Sequence, residues 1–385
     1  MKRIHSIDFA RGLVMIIMTL DHTRDFLYTG VALDPTNLAM TTPILFFTRW
    51  ITHFCAPSFV FLSGVSAYLS VKSRPDPRMN RRFLLTRGIW LVILEFTVVN
   101  FFLWWDIHFR TLIFEVIATI GCGFIILSFL YRMSPKLLGI LGLLIIFGHE
   151  ATSTIMVKNP VLNFVGALFL GRAAFPVTPN LLLVIGYPIL PWLGIMLAGF
   201  SCGRLFELSA EDRKKHLLRI GGAAICLFIL LRATNLYGNP SPWSVQKNAV
   251  FTLLSFINYN KYPPSLCFTL VTLGGLFVLL PLSERWENKA TKIVSVYGKT
   301  PLFYFLIHLG VIHVLMFVMV FVQGYHVSDL VFGTLQSGRP ATGTGISLPW
   351  VYVVWLGVVG LLYPLCRSYG RYKMSHPEKK WLRYL

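Results

Sequence analysis

Asp8, Arg11, Met15, Met18, His22 and Asp25 follow one another at steps of three or four through SIDFARGLVMIIMTLDHTRDFLY, residues 6–28, so on a helix they line one face. Four of the six can carry charge. His22, with an ordinary pKa of about 6.5, could take a proton from a hydroxyl or amine at neutral pH, or accept an acyl group itself, while Asp25 or Asp21 orients its ring. Arg11 stands three turns away, about 16 Å along the axis, and suits an anion. The plainer alternative is pairing within the helix, Asp8 with Arg11 and His22 with Asp25. A site is favoured because so many ionisable groups within an apolar span, at about 2.5–3.5 kcal/mol each, call for a wet or protein-lined cavity.

Other side chains join this stripe. Arg49 and His53 precede APSFVFLSGVSAYLS, and if the second span runs antiparallel to the first, His53 and His22 lie at one depth below the outer surface. There Arg49 or His53 could stabilise an oxyanion. Tyr304 and His308, at i,i+4 in YGKTPLFYFLIHLGVIH, share a face, and Lys261 sits in the aromatic outer loop NYNKYPPS. Asp8, Arg11, Arg49, Tyr304, His308 and Lys261 are candidate substrate contacts, with His22, His53, Asp25 and Asp21 as the catalytic group. Glu95, Asn100 and Glu115 are polar groups in apolar runs, read equally as structural partners or cavity lining. Gly64, Ser66 and Ala67 form a small-residue patch suited to close helix packing.

Positioning these residues falls to apolar helices. Hydropathy and the roughly 20 residues needed to cross a bilayer give ten spans, near 8–28, 44–70, 82–104, 110–131, 136–150, 181–206, 216–236, 264–282, 300–323 and 349–369. Segment 160–175 is too short and reads as interfacial or re-entrant. Pro188 and Pro191 should kink or break the sixth span, and Thr300 with Pro301 should cap the ninth. Lys and Arg gather at the start, in 72–87, at Arg132 and Lys136, in 204–219, in 285–299 and in 367–383, while the alternate loops hold few. That alternation places both termini in the cytoplasm, Arg11 inward and His22 outward.

The chain is 55% hydrophobic and 13% charged over 385 residues, too apolar for an ordinary soluble protein. The expected class is an all-α, polytopic membrane helix bundle forming a single domain over residues 1–385. A net charge of +19 does not indicate nucleic acid, because the basic residues sit between apolar runs and set topology. The first span carries Asp8 and Arg11 and lacks a small-residue cleavage site, so it reads as a retained helix. Six cysteines without CxxC spacing read as small buried hydrophobes, with no metal site and no permanently bound cofactor. No domain-scale internal repeat is visible.

Taken in order, SIDFARGLVMIIMTLDH, APSFVFLSG, YPILPWLGIMLAG, KYPPSLCFTLVTLG and YGKTPLFYFLIHL resemble the membrane family that contains the catalytic domain of heparan-alpha-glucosaminide N-acetyltransferase. The Arg11 to His22 spacing is also similar to the arginine and histidine signature in the first helix of bacterial membrane O-acyltransferases that modify cell-surface sugars. Both resemblances imply transfer of an acyl group, acetyl in the first family, from cytosolic acyl-CoA to an acceptor across the membrane. His22 matches the catalytic histidine of the bacterial signature. In the glucosaminide enzyme the histidine regarded as catalytic lies just beyond the first helix, but Thr29–Thr42 here contains no histidine, which leaves His53 as the fallback.

The expected function is therefore a plasma (inner) membrane acyltransferase. It would take acetyl-CoA as co-substrate, with phosphates near Arg11 and the thioester reaching His22 along Met15 and Met18. The acceptor would be an extracytoplasmic small molecule or glycan, and assembly as a homodimer is left open. A proton-coupled transporter or exporter would also use buried Asp, Glu and His, and CoA dependence separates the two. A non-catalytic scaffold for envelope assembly would bind no acyl-CoA.

Overall fold

Most apolar runs fold as helices that begin where a short polar side chain can take up free first-turn amides: Thr42, Asp76, Ser134, Asn159, Ser209, Asn248 and Ser265 all do so. The computed structural model describes residues 4–30, 34–74, 76–152, 159–340 and 343–384, so Met1–Arg3 and Lys158 of the charge pattern fall outside it. In chain order the elements are α1 (His5–Leu27), α2 (Pro43–Trp50), α3 (Cys55–Lys72), α4 (Pro77–Leu94), α5 (Asn100–Trp104), β1 (Thr111–Phe114), α6 (Val116–Leu130), α7 (Pro135–Gly148) and α8 (Pro160–Phe169). They continue with β2 (Ala173–Thr178), β3 (Leu181–Ile185), α9 (Ile189–Cys202), α10 (Ala210–Thr234), α11 (Ala249–Ile257), α12 (Leu266–Ser283), α13 (Lys289–Lys299), α14 (Pro301–Val322), β4 (Phe332–Gly333), β5 (Gln336–Ser337) and α15 (Leu348–Ser375).

The protein is thus a mostly helical, multi-pass membrane bundle. Among the described residues, seven helical stretches are long and apolar enough to cross a membrane: Pro43–Lys72, Pro77–Trp104, Ile189–Glu207, Ala210–Thr234, Leu266–Ser283, Pro301–Val322 and Leu348–Ser375. The other three expected spans are the charge-bearing α1 and the shorter α6 and α7. At 1.5 Å per residue, α6 covers only about 22 Å.

Contacts fix the directions. Cys55 meets the Val14 carbonyl and Leu62 meets Arg11, so α3 runs antiparallel to α1. Tyr304 meets Thr19 and His308 meets His22, so α14 runs parallel to it. Ser6 bonds Glu284, Arg213 bonds Glu284, Lys72 pairs with Glu207 and Thr86 bonds Tyr384, so both described chain ends share one face of the bundle with the basic loops.

Two crossings bring backbones together. A Cβ on Gly298 would stand 1.8 Å from the Asp8 carbonyl, and one on Gly12 would stand 1.9 Å from the Val294 carbonyl, so α1 and α13 touch main chain to main chain. Gly64 and Gly199 do the same for α3 and α9, each 2.1 Å from a facing carbonyl. Gly64 therefore serves the packing expected of its patch, whereas Ser66 turns to Arg11.

Several expectations are corrected. Spans 110–131 and 181–206 begin as strands: β3 lies between β1, parallel from Thr111↔Leu182 to Phe114↔Ile185, and β2, antiparallel from Ala173↔Ile185. Short apolar runs such as LLLVI fit a buried strand as well as a helix, and periodicity cannot separate the two. With the strand in place, Pro188 and Pro191 open α9 and break nothing. The basic stretch 285–299 contains a further helix, α13, capped by Asn288 and Thr291 together. Thr300 precedes α14 but makes no side-chain cap. In the third span five residues, Glu95–Val99, form a π turn. Glu95 and Asn100 there prove structural. Glu95 Oε2 accepts the Ala118 amide at 2.8 Å, and the Asn100 amide bonds the carbonyls of Glu95 and Ile113. The cysteines are all free, and Cys226 is exposed instead of buried. Segment 160–175 carries α8, whose Val161 and Leu162 face outward.

Candidate active site

On the N-terminal half of α1, Arg11 Nη2 reaches α3, donating to the Leu62 carbonyl at 3.0 Å and to the Ser66 hydroxyl. It borders a cavity of about 320 Å³ enclosed by α1, α3, α4, α6 and α14. Ser63, Ser66 and Ser70 give this cavity one hydroxylated wall. Phe83, Leu84, Leu91, Ile117, Ile120 and Phe124 make it otherwise apolar. Arg87, from α4, also lines it, and the charge of Arg11 acts on that guanidinium. Two like charges facing one narrow space favour an anion. Met15 lies along the cavity as the stripe requires. Asp8 is buried where α1 crosses α13, and Met18 is buried in the core.

Leu302 and Phe305 of α14 also line the cavity. The Phe305 ring lies 5.5 Å from that of His308. His308, fully buried, places Nε2 2.7 Å from Nδ1 of the half-buried His22, with ring centroids 5.0 Å apart and planes 17° from parallel. His308 Nδ1 contacts the Tyr304 carbonyl at 3.1 Å, and Tyr304 spends its hydroxyl on Thr19 Oγ1 at 2.6 Å. Tyr304 is fully buried, so it anchors the pair.

Above them lies a charged basin. Asp21 accepts from Arg49 and stands 2.7 Å from Arg24, which also holds Asp25 at 2.6 Å. Neither carboxylate hydrogen-bonds His22, and the ring they were expected to orient is held by His308. Arg49 is likewise engaged with Asp21. Lys261 is buried with its ammonium 5.0 Å from the Tyr262 ring centre, and Arg172 approaches the same ring at 5.3 Å. The Tyr262 hydroxyl meets that of Tyr187 at 3.4 Å. The charges acting on Asp21 are those of Arg49, Arg24 and Lys261, so these groups form one electrostatic unit.

His53 does not pair with His22. With Arg49 at Asp21 and Cys55 at the Val14 carbonyl, His53 falls inward of His22, against Tyr259 at 5.5 Å and Phe268 at 5.7 Å. Four residues, about one helical turn, separate His53 from Arg49 at the level of Asp21, and that spacing produces the displacement. His53 Nδ1 and the Tyr259 hydroxyl have no hydrogen-bond partner among the described residues.

A family model described as heparan-alpha-glucosaminide N-acetyltransferase, catalytic, matches residues 3–233. The chain belongs to this family. It therefore has a membrane acetyltransferase kind of function. No curated protein matches the chain. The stretch matching the acetyltransferase domain contains α1 to α10, with Arg11, His22, Arg49, His53 and Arg87. Lys261, Tyr304 and His308 come from beyond it.

Sequence reasoning missed Arg24, Arg87 and the Tyr187–Tyr262 pair. Arg24 stands between Asp21 and Asp25 in DHTRD, and its i,i+3 relation to Asp21 was a legible signal. Arg87 fell inside an expected span and was counted with the topogenic charges. The tyrosines, in loops 75 residues apart, left no local signal.

Proposed function

We propose that this protein takes an acetyl group from acetyl-CoA at the cytoplasmic face of the plasma (inner) membrane and transfers it to an extracytoplasmic acceptor. The acceptor is a sugar amine or hydroxyl, such as the alpha-glucosaminide named by the family. The observation that carries this reading is one cavity running from Arg87 and Ser70 to Met15 and Phe305, the last of which packs on His308, the partner of His22. A narrow apolar passage with two arginines suits a pantetheine arm tipped by phosphates, with the basic inner loops completing the phosphate site. Both termini then lie in the cytoplasm.

In this reading the acceptor nitrogen or oxygen attacks the thioester carbonyl while His22 removes its proton. The carbon–sulfur bond breaks, and CoA leaves as the thiolate to be protonated on the cytoplasmic side. The Asp21–Arg24–Arg49–Lys261 basin faces the acceptor; the carboxylates of Asp21 and Asp25 favour the positive charge that forms on His22, while Arg49 and Lys261 oppose it and return the imidazole to its neutral form.

Reconstituted vesicles loaded with glucosamine and given labelled acetyl-CoA outside test the proposal. Acetylglucosamine should accumulate inside, and His22→Ala should lower turnover by about 10²–10⁴-fold with folding intact. Near-normal transfer by that variant would remove His22 from the mechanism. Glucosamine flux without any CoA requirement would favour a proton-coupled transporter.

A further inference from the structure

We infer that His308 is the positioning residue that fixes His22 in the one tautomer able to act as a base, with Nε2 as the reacting nitrogen. The inference rests on the acyltransferase reading for its catalytic consequence, but the tautomer itself does not depend on it.

The argument runs along a directed chain of hydrogen bonds. A carbonyl oxygen only accepts, so His308 Nδ1, 3.1 Å from the Tyr304 carbonyl, carries the hydrogen. A neutral imidazole has one N–H, which leaves a lone pair on His308 Nε2. That lone pair lies 2.7 Å from His22 Nδ1, which must then be the donor. The proton of His22 is thereby placed on Nδ1, and Nε2 keeps its lone pair. No described residue hydrogen-bonds Nε2.

The alternative is a charged His308 that donates from both nitrogens, turning His22 round and making its Nε2–H useless as a base. The surroundings oppose it. His308 is fully buried and meets His22 from α1, with the Tyr304 and Phe305 backbones and rings on its own helix. No carboxylate is among these neighbours, and an unpaired buried cation is strongly disfavoured. Asp21, Asp25, Arg49 and Lys261 act on His22 instead.

The chain is also held rigidly. Thr19 Oγ1 donates to the Met15 carbonyl at 3.0 Å, so the Tyr304 hydroxyl donates to Thr19. The Tyr304 ring stacks 16° from parallel on His308 and fixes its plane. When His22 gains a proton at Nε2, its Nδ1–H bond to His308 becomes charge-assisted and steadies the cation. A neutral imidazole thus takes the part that a buried carboxylate plays in hydrolytic triads.

Two measurements test this. In protein labelled with ¹⁵N-histidine, the signals lost in His22→Asn identify His22, and they should report a protonated Nδ1 and a bare Nε2. His308→Leu should mix or reverse that state. A wild-type His22 carrying its proton on Nε2 would overturn the inference whatever the activity. In the vesicle assay His308→Leu should lower kcat on the order of 10²-fold, with KM for acetyl-CoA changed less than about twofold. His308→Gln, whose carbonyl can accept from His22, should recover about tenfold of that loss. Equal activity of the Leu and Gln variants, both folded, would also overturn it. The stated tautomer without any acetyl transfer would sink the acyltransferase reading alone.

Discussion

Arg49 of α2 pairs with Asp21 of α1, and Arg24, one turn further along α1, shares the same carboxylate. With Asp25, which also pairs with Arg24, these groups hold the C-terminal end of α1 against α2 in a charge-balanced cluster. Removing one partner leaves a buried charge poorly compensated, so Arg49→Ala should cost about 3 kcal/mol of stability. Asp21→Asn combined with Arg49→Gln should cost less than the sum of the single changes, with a coupling of about 1–3 kcal/mol. Thermal unfolding in detergent across the four proteins measures it.

Arg87 shares the cavity with Arg11 but sits on a different helix. Charge-assisted hydrogen bonds contribute about 1.5–3 kcal/mol. If Arg87 holds a phosphate of the donor equally in ground and transition states, Arg87→Gln should raise KM for acetyl-CoA about tenfold or more and leave kcat nearly unchanged. Initial rates over a range of acetyl-CoA concentrations decide it.

Gly298 has no room for a methyl group, since its Cβ would overlap the Asp8 carbonyl. Gly298→Ala should force α1 and α13 apart at a cost of about 1–3 kcal/mol. Its melting temperature should fall well below that of Gly357→Ala on α15, where a Cβ meets nothing within 4 Å.

Outside the spanning segments, the hydrogen bonds from the Arg110 side chain hold the Asp106 carboxyl below its usual range, aided by the His108 and Arg110 amides and opposed by burial. A lowered pKa means that the ionised form stabilises the folded loop. That contribution is present above the unfolded value of about 3.9 and is lost as pH falls through the lower folded value. Amide exchange in residues 106–111 should stay protected from neutral pH to about pH 5 and quicken below about pH 4. Asp106→Asn should be unprotected throughout.

The polar stripe of α1 was legible because helical spacing is a local property, and Arg11 and Met15 do meet the cavity while His22 meets a histidine pair. The partners were not legible. His308 lies 286 residues from His22, and nothing in α1 selects it over Asp25, close to hand at i,i+3. The matched-depth expectation for His53 failed because it counted from the span ends, whereas the register is set by Arg49 at Asp21 and Cys55 at Val14, which leaves His53 about one turn nearer the middle of α1. Strand β3 was read as helix because LLLVI, the central strand of its sheet, is apolar at every position and shows no alternation. Helix α13 was hidden by its lysines, which mark a cytoplasmic loop and an amphipathic helix equally well.

The close crossing of α1 with α13, together with the His22–His308 contact, has a consequence for how the protein is made. Helix α1 is completed only by helices synthesised much later, His308 following His22 by 286 residues. Until α14 is made His22 lacks the histidine that meets it, whereas Arg24, bridging Asp21 and Asp25, neutralises charge within α1 itself. A nascent chain stopped before α13 would thus be a natural client for membrane insertion and quality-control machinery.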